Sequence, residues 1–191
     1  MRGRSRSSTS RRLSVGDPSA GQGLVEFALV LPLFILLMMA VLEFGFLYNS
    51  LLTIQFAARE GVATAAEAGA VDGADCSILN AVEAALSGPV NKADVDFVEI
   101  FLSDTNGDEV PGSVNHYVRS GTLTCPGTGD QPYSLQGAEG YPEIDRHDAL
   151  AEGLDIIGVK VGYDYRGITP IGAGRTWTLT DAATLRMEPK Q

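Results

Sequence analysis

Histidine is almost missing from this sequence. His116 and His147 are the only two in 191 residues, and no zinc-ligand spacing surrounds either. There is no G-x-S-x-G elbow, no P-loop and no dinucleotide fingerprint. Catalytic residues, a bound metal, a cofactor and a small-molecule substrate are therefore not expected. Positive charge is also short after the first fifty residues, with nine Lys/Arg against twenty-one Asp/Glu beyond Tyr48. That balance argues against a nucleic-acid partner, which a protein holds by neutralising phosphates. No internal repeat is apparent.

One long apolar run is present. Leu24 to Tyr48 reads LVEFALVLPLFILLMMAVLEFGFLY, with Glu26 and Glu43 as its only charges. A membrane-spanning helix needs about 20 mainly apolar residues, so the run is long enough to cross with some tilt. A cleaved secretory signal is the poorer reading, because those apolar regions run to about 7–15 residues and end in a small-x-small site. Ahead of the run, Arg2, Arg4, Arg6, Arg11 and Arg12 oppose Asp17 alone. Arginine beside a membrane helix stays on the cytoplasmic side, which predicts a single pass with the N-terminus inside and an acidic extracytoplasmic domain. Pro32 falls within the run, where it removes one helical hydrogen bond. Glu43 sits near the outer boundary and is expected to reach water.

The expected order is a basic leader over 1–21, a transmembrane helix over 22–48, its extracytoplasmic continuation over 49–70, and an α+β domain over 71–191. Leu51, Leu52, Ile54 and Phe56 are candidates for an apolar face on the continuation. Ala57, Gly61, Ala65 and Gly69 recur every fourth residue, a stripe that lets another backbone approach closely. A subunit contact and packing on the chain's own domain both fit it. A short helix follows, with Ser77 as its candidate N-cap and Gly88 and Pro89 at its end.

Val95 to Leu102 reads as a strand, Asp104 to Asp108 as a hairpin turn around Asn106-Gly107, and Asn115 to Arg119 as a weaker return strand. Residues 120–145, rich in Gly and Pro, read as a long surface loop. Two strands, Asp155–Tyr165 and Arg175–Pro189, close an antiparallel sheet. Asp104, Asn106 and Asp108 imitate the start of an EF-hand loop, but the glycine stands at the fourth position and no glutamate at the twelfth, which favours a plain turn. Glu139, Glu143, Asp145, Asp148, Glu152 and Asp155 read as a solvated acidic face, with weak cation binding as the other option. Cys76 and Cys125 both fall in the expected exterior, where disulfides persist. Pairing them closes a loop of about 50 residues, worth roughly 4 kcal/mol by the chain-entropy model; two buried thiols are the alternative.

The junction Gly21-Gln22-Gly23-Leu24-Val25-Glu26-Phe27 resembles the prepilin class, whose leader is cut after such a glycine. VEFALVLP, the later LEFG and the AAREG segment together resemble the TadE-like family of the Tad/Flp pilus system, over residues 21–66. The resemblance implies a minor pilin or pseudopilin with a pilin-like fold. Its partners would be the membrane, other minor pilins, Tad assembly proteins and a prepilin peptidase acting between Gly21 and Gln22. It further implies that Glu26, with Phe27 beside it, recruits subunits by pairing with an α-amino group. Read from physics alone, Glu26 is an interfacial acid stabilised by the helix dipole. The competing class is a membrane-anchored extracytoplasmic enzyme or ligand-binding domain, which requires a pocket with converging polar groups.

Overall fold

The computed structural model describes residues 18–190 except 87, 89, 128, 152 and 171, with side chains from residue 21 onward. Most of the expected leader, together with Pro89 and Glu152, lies outside the described residues. The chain divides into two compact units, residues 1–39 and 40–191. Helix α1, Pro18–Ala68, is assigned as continuous helix through Pro32. In the first unit every side chain from Gly21 to Met38 is exposed. A helix that is apolar on all sides and buried on none suits a hydrocarbon environment.

The second unit is α+β, as expected. α1 is followed by α2 (Ala74–Ala85) and by five strands: β1 Val95–Ser103, β2 Glu109–Val118, β3 Ser134–Leu135, β4 Ile156–Arg166 and β5 Thr176–Arg186. They form one antiparallel sheet in the order β3-β2-β1-β4-β5. Val98 and Ile100 of β1 and Ile157, Val159 and Val161 of β4 point to one face and are fully buried. Against them lie Ile54, Ala57, Ala58, Val62 and Ala65 of α1, and Ile78, Leu79 and Val82 of α2. The buried α1 positions follow the three-and-four spacing of a single helical stripe.

On the other sheet face, Phe97 and Phe101 stand opposite Gly162 and Gly158. Their rings occupy the space that a Cβ at either glycine would take. Between the two phenylalanines, Glu99 pairs with Lys160 and, at 2.8 Å, with Nδ1 of His116. Burial works against the Glu99 charge, but these two partners hold its carboxyl below the usual range.

Several boundaries differ from expectation. β2 begins at Glu109, directly after the hairpin, not at Asn115. Its first half, EVPGSV, has no apolar alternation to betray it. It tolerates Pro111 because β3 pairs only with Tyr117 and Val118, which leaves that half on the sheet edge. The hairpin turn is closed by its own first residue: Asp104 Oδ1 accepts from the amides of Asn106 (2.8 Å) and Asp108 (2.9 Å). The N-cap of α2 is Gly73, not Ser77, which lies inside the helix and donates to the Gly73 carbonyl. The capping acid comes from far along the chain. Glu143 accepts from the amides of Gly73 and Asp75, both at 2.6 Å, where the helix dipole favours an anion.

Residues 120–145 are not a simple surface loop. They contribute β3, a 3-10 turn at Glu143–Asp145, and the buried Cys125, Tyr133 and Tyr141. Cys125 is joined to Cys76 of α2, with Cα atoms 5.5 Å apart. The Tyr133 hydroxyl donates to Glu83 at 2.6 Å, and Arg119 reaches the same carboxylate. Beneath the segment, the Asp75 carboxylate accepts from Asn115 Nδ2 (2.9 Å), the Tyr117 hydroxyl (2.7 Å) and Arg146 Nη2. Arg146 is fully buried, with its guanidinium 4.9 Å from the centre of the Tyr141 ring.

The acidic face is likewise only partly solvated. Glu143 caps α2, Asp148 accepts from the Ala70 amide (2.9 Å), and Asp155 accepts from the Tyr141 hydroxyl (2.9 Å) and the His147 amide (3.0 Å). Glu139 and Asp145 are exposed.

Candidate membrane anchor and assembly surface

Among the described residues, one helix is long and apolar enough to cross a membrane, and it is the N-terminal one. Gly21 and Gln22, the expected cleavage position, lie on it in helical conformation, and Glu26 and Phe27 follow one turn later, all exposed. Glu26 therefore projects from an apolar helix with no described side chain to neutralise it. A carboxylate in that setting is costly in lipid without a partner.

The fourfold stripe faces inward. Ala57, Gly61 and Ala65 are buried in the chain's own core. A Cβ added at Gly61 would stand 2.7 Å from Val82 and 3.0 Å from Val159, so the glycine sets how closely α1 approaches α2 and β4. Gly69 lies just past the helix, with φ +68°, the left-handed conformation of a helix end. Of the positions expected to line an apolar face, Ile54 is in the core and Leu51 packs against it, whereas Leu52 and Phe56 point away.

Phe44 and Tyr48, which the sequence reading did not single out, extend that outward face. Phe44, Tyr48, Leu52 and Phe56 recur every four residues and are all exposed, at 71%, 60%, 46% and 54%. The fourfold spacing that joins Phe44 and Tyr48 to Leu52 and Phe56 is the sequence signal of this face.

Glu43 also differs from expectation. It is buried at 8% exposure and does not reach water. Its carboxylate accepts from the Tyr165 hydroxyl (2.9 Å) and from the amides of Ile168 (3.1 Å) and Thr169 (2.7 Å). Gly172 lies against it, and a Cβ there would come within 2.8 Å of the carboxylate carbon. Burial, and then the Glu43 carboxylate, push the Tyr165 hydroxyl up to about 12. A single acid thus ties α1 to the connection between β4 and β5.

His116 and His147 are each engaged by one carboxylate, Glu99 and Asp155. No group of three or more metal-ligating side chains occurs among the described residues.

An exposed apolar helix that opens on G-Q-G-L-V-E-F and runs into a sheet domain is the arrangement to set beside known families. Residues 21–63 match the model of the TadE-like protein family. The chain carries a TadE-like segment. The match takes in Gly21, Gln22, Glu26, the apolar run, Glu43, and α1 as far as Gly61 in the core. No curated protein and no solved structure matches the chain. The TadE-like segment and the apolar helix indicate a Tad pilus-associated protein anchored in a membrane.

Proposed function

We propose that this TadE-like chain is a non-catalytic minor pilin or pseudopilin of a Tad/Flp pilus system. It is held by a single pass with the N-terminus in the cytoplasm, and its sheet domain lies outside. The observation that carries this is an apolar helix, exposed on every side, with an unneutralised acid five residues after a prepilin-type glycine. Cleavage between Gly21 and Gln22 would create an α-amino group with an ordinary pKa of about 7.7–8.0, cationic at neutral pH. Glu26, four residues from that terminus, is placed to pair with it in the same or a neighbouring subunit. The arginine-rich leader supports the orientation.

The partners are other minor pilins and Tad assembly proteins, with a prepilin peptidase acting on the leader. The stripe Phe44, Tyr48, Leu52 and Phe56 is the surface for helix contact, since Ala57, Gly61 and Ala65 are already used within the chain.

Intact-mass analysis of the membrane-extracted protein, with and without the cognate peptidase, tests the reading. A peptidase-dependent N-terminus at Gln22 is expected, and Glu26→Ala should lower pilus assembly while the domain stays folded. A full-length chain in both strains, together with normal pilus levels in Glu26→Ala, would refute it.

A further inference from the structure

We propose that the connection between β4 and β5, residues 167–170 and 172–175, with Arg166 and Trp177 at its two ends, is a lipid-docking element that rests on anionic phospholipid headgroups of the outer leaflet. The inference depends on the membrane-anchor reading above and adds a second point of membrane contact, made by the sheet domain itself.

Position is the first argument. The amides of Ile168 and Thr169 and the hydroxyl of Tyr165 all donate to Glu43, which pins the connection to α1 at that residue. A span needs about 20 residues, and counted from Leu24 these are used up at Glu43. The connection therefore meets α1 at the outer end of the span, within five residues of the end of the apolar run at Tyr48.

Its chemistry suits that depth. Ile168 is 62% exposed beside its pinned amide, and Phe44 on the adjoining helix is 71% exposed. An apolar groove of about 240 Å³ is lined by Phe44, Leu47, Gly172, Arg175 and Trp177, with Glu43 at its wall. Tryptophan is the residue most at home at the membrane interface, and the sequence places its only one here.

Charge supplies the third argument. From Arg166 to Thr180 there are two arginines and no acid, within a domain whose acids outnumber its bases by more than two to one. Arg175 makes no ion pair among the described residues, and Arg166, although 3.1 Å from Asp94, is 72% exposed. Asp94, Asp164 and the buried Glu43 border the tip, so the exposed Arg175 is the group complementary to a lipid phosphate.

Because Trp177 is the sole tryptophan, the test needs no added label. The full chain is reconstituted in phosphatidylcholine vesicles containing a minor fraction of phosphatidylglycerol, with bromines at defined acyl depths on one lipid or the other. Shallow bromines should quench Trp177 most, and brominated phosphatidylglycerol should quench better than brominated phosphatidylcholine. Arg175→Gln should lower that preference about fivefold, the effect of one arginine at an anionic surface, without changing resistance to alkaline extraction. With the helix inserted, absence of quenching at every depth would overturn the proposal. So would shielding of Trp177 that grows with protein-to-lipid ratio, which would assign the tip to a second copy. Extraction of the chain by alkali would instead refute the anchor reading itself.

Discussion

Replacing Asp75 by alanine should be among the most damaging single changes outside the anchor. The carboxylate is 4% exposed and has three donors: Asn115 Nδ2, the Tyr117 hydroxyl and Arg146 Nη2. With Asp75 gone, the Arg146 guanidinium keeps only the Tyr141 carbonyl at 3.3 Å as an acceptor, while its Nε and Nη1 already have none. Breaking a buried ion pair from one side costs about 3–5 kcal/mol, because the surviving charge is left in a poorly polarisable interior. The neutral hydrogen bonds from Asn115 and Tyr117 are each worth about 1 kcal/mol and overlap with that figure. A domain stable by about 5–15 kcal/mol would lose a large share of its margin.

The double variant separates the explanations. Arg146→Met removes the stranded charge and keeps an apolar side chain over Tyr141, so Asp75→Ala/Arg146→Met should be no less stable than Asp75→Ala alone. The coupling in the cycle should be about 2–3 kcal/mol. Urea unfolding of the full chain in detergent micelles, followed by near-ultraviolet circular dichroism, reads all four corners. Strict additivity of the two single costs would show that the residues contribute independently and would refute the reasoning.

Gly61→Leu should open the contact between α1, Val82 and Val159 and destabilise the domain by more than the roughly 1–3 kcal/mol typical of overpacking. Gly61→Ala should fall between neutrality and a loss of about 2 kcal/mol, since better helix propensity returns about 1 kcal/mol; thermal melts of the two variants check the order. Cys76→Ala/Cys125→Ala opens a loop of sequence separation 49 and should cost about 4 kcal/mol, read as a lower urea midpoint that reductant reproduces in the parent chain. At alkaline pH, burial followed by neighbouring carboxylates holds the hydroxyls of Tyr117 and Tyr141 well above the ordinary value, and Tyr165 up to about 12. Stability is intact below about pH 10 and falls above it by about 1.4 kcal/mol per pH unit for each such tyrosine, because only the unfolded chain releases the proton. Phenolate absorbance should therefore rise in step with unfolding, and early titration of these groups in the folded protein would count against their burial.

What could be read from sequence was what depends on local pattern. The apolar run, the Asn106-Gly107 turn, and the alternation of Ile157, Val159, Val161 and Tyr163 each declare themselves within one continuous stretch of chain, and the structure follows them closely. Less legible was anything decided by a distant partner. Glu143 looked like one acid in a solvated cluster, yet it caps a helix seventy residues earlier in the chain. Tyr133 and Tyr141 sat in a Gly- and Pro-rich stretch without periodicity, and only the sheet edge and α2 give them a place to be buried. The small-residue stripe was visible, but its direction was not: a helix pattern marks a face without naming what covers it.

Within the second unit, Glu43 shows how α1 and the sheet constrain one another. An acid inside an apolar helix is tolerated only if other groups take over the work of water. Here the β4–β5 connection does so with two backbone amides and β4 with the Tyr165 hydroxyl, and Gly172 leaves room for the carboxylate to enter. The reverse dependence is as strong, because the amides of Ile168 and Thr169 find their acceptor in Glu43. The same turns of α1 carry the exposed Tyr48 and Phe44, the latter at the rim of the groove it shares with Arg175 and Trp177. One stretch of helix therefore joins the sheet domain through Glu43 and offers an apolar stripe to whatever lies beyond it. A substitution at Glu43 should release the β4–β5 connection while leaving that stripe in place, so that attachment to the domain and assembly along the helix can be separated by choosing which face to alter.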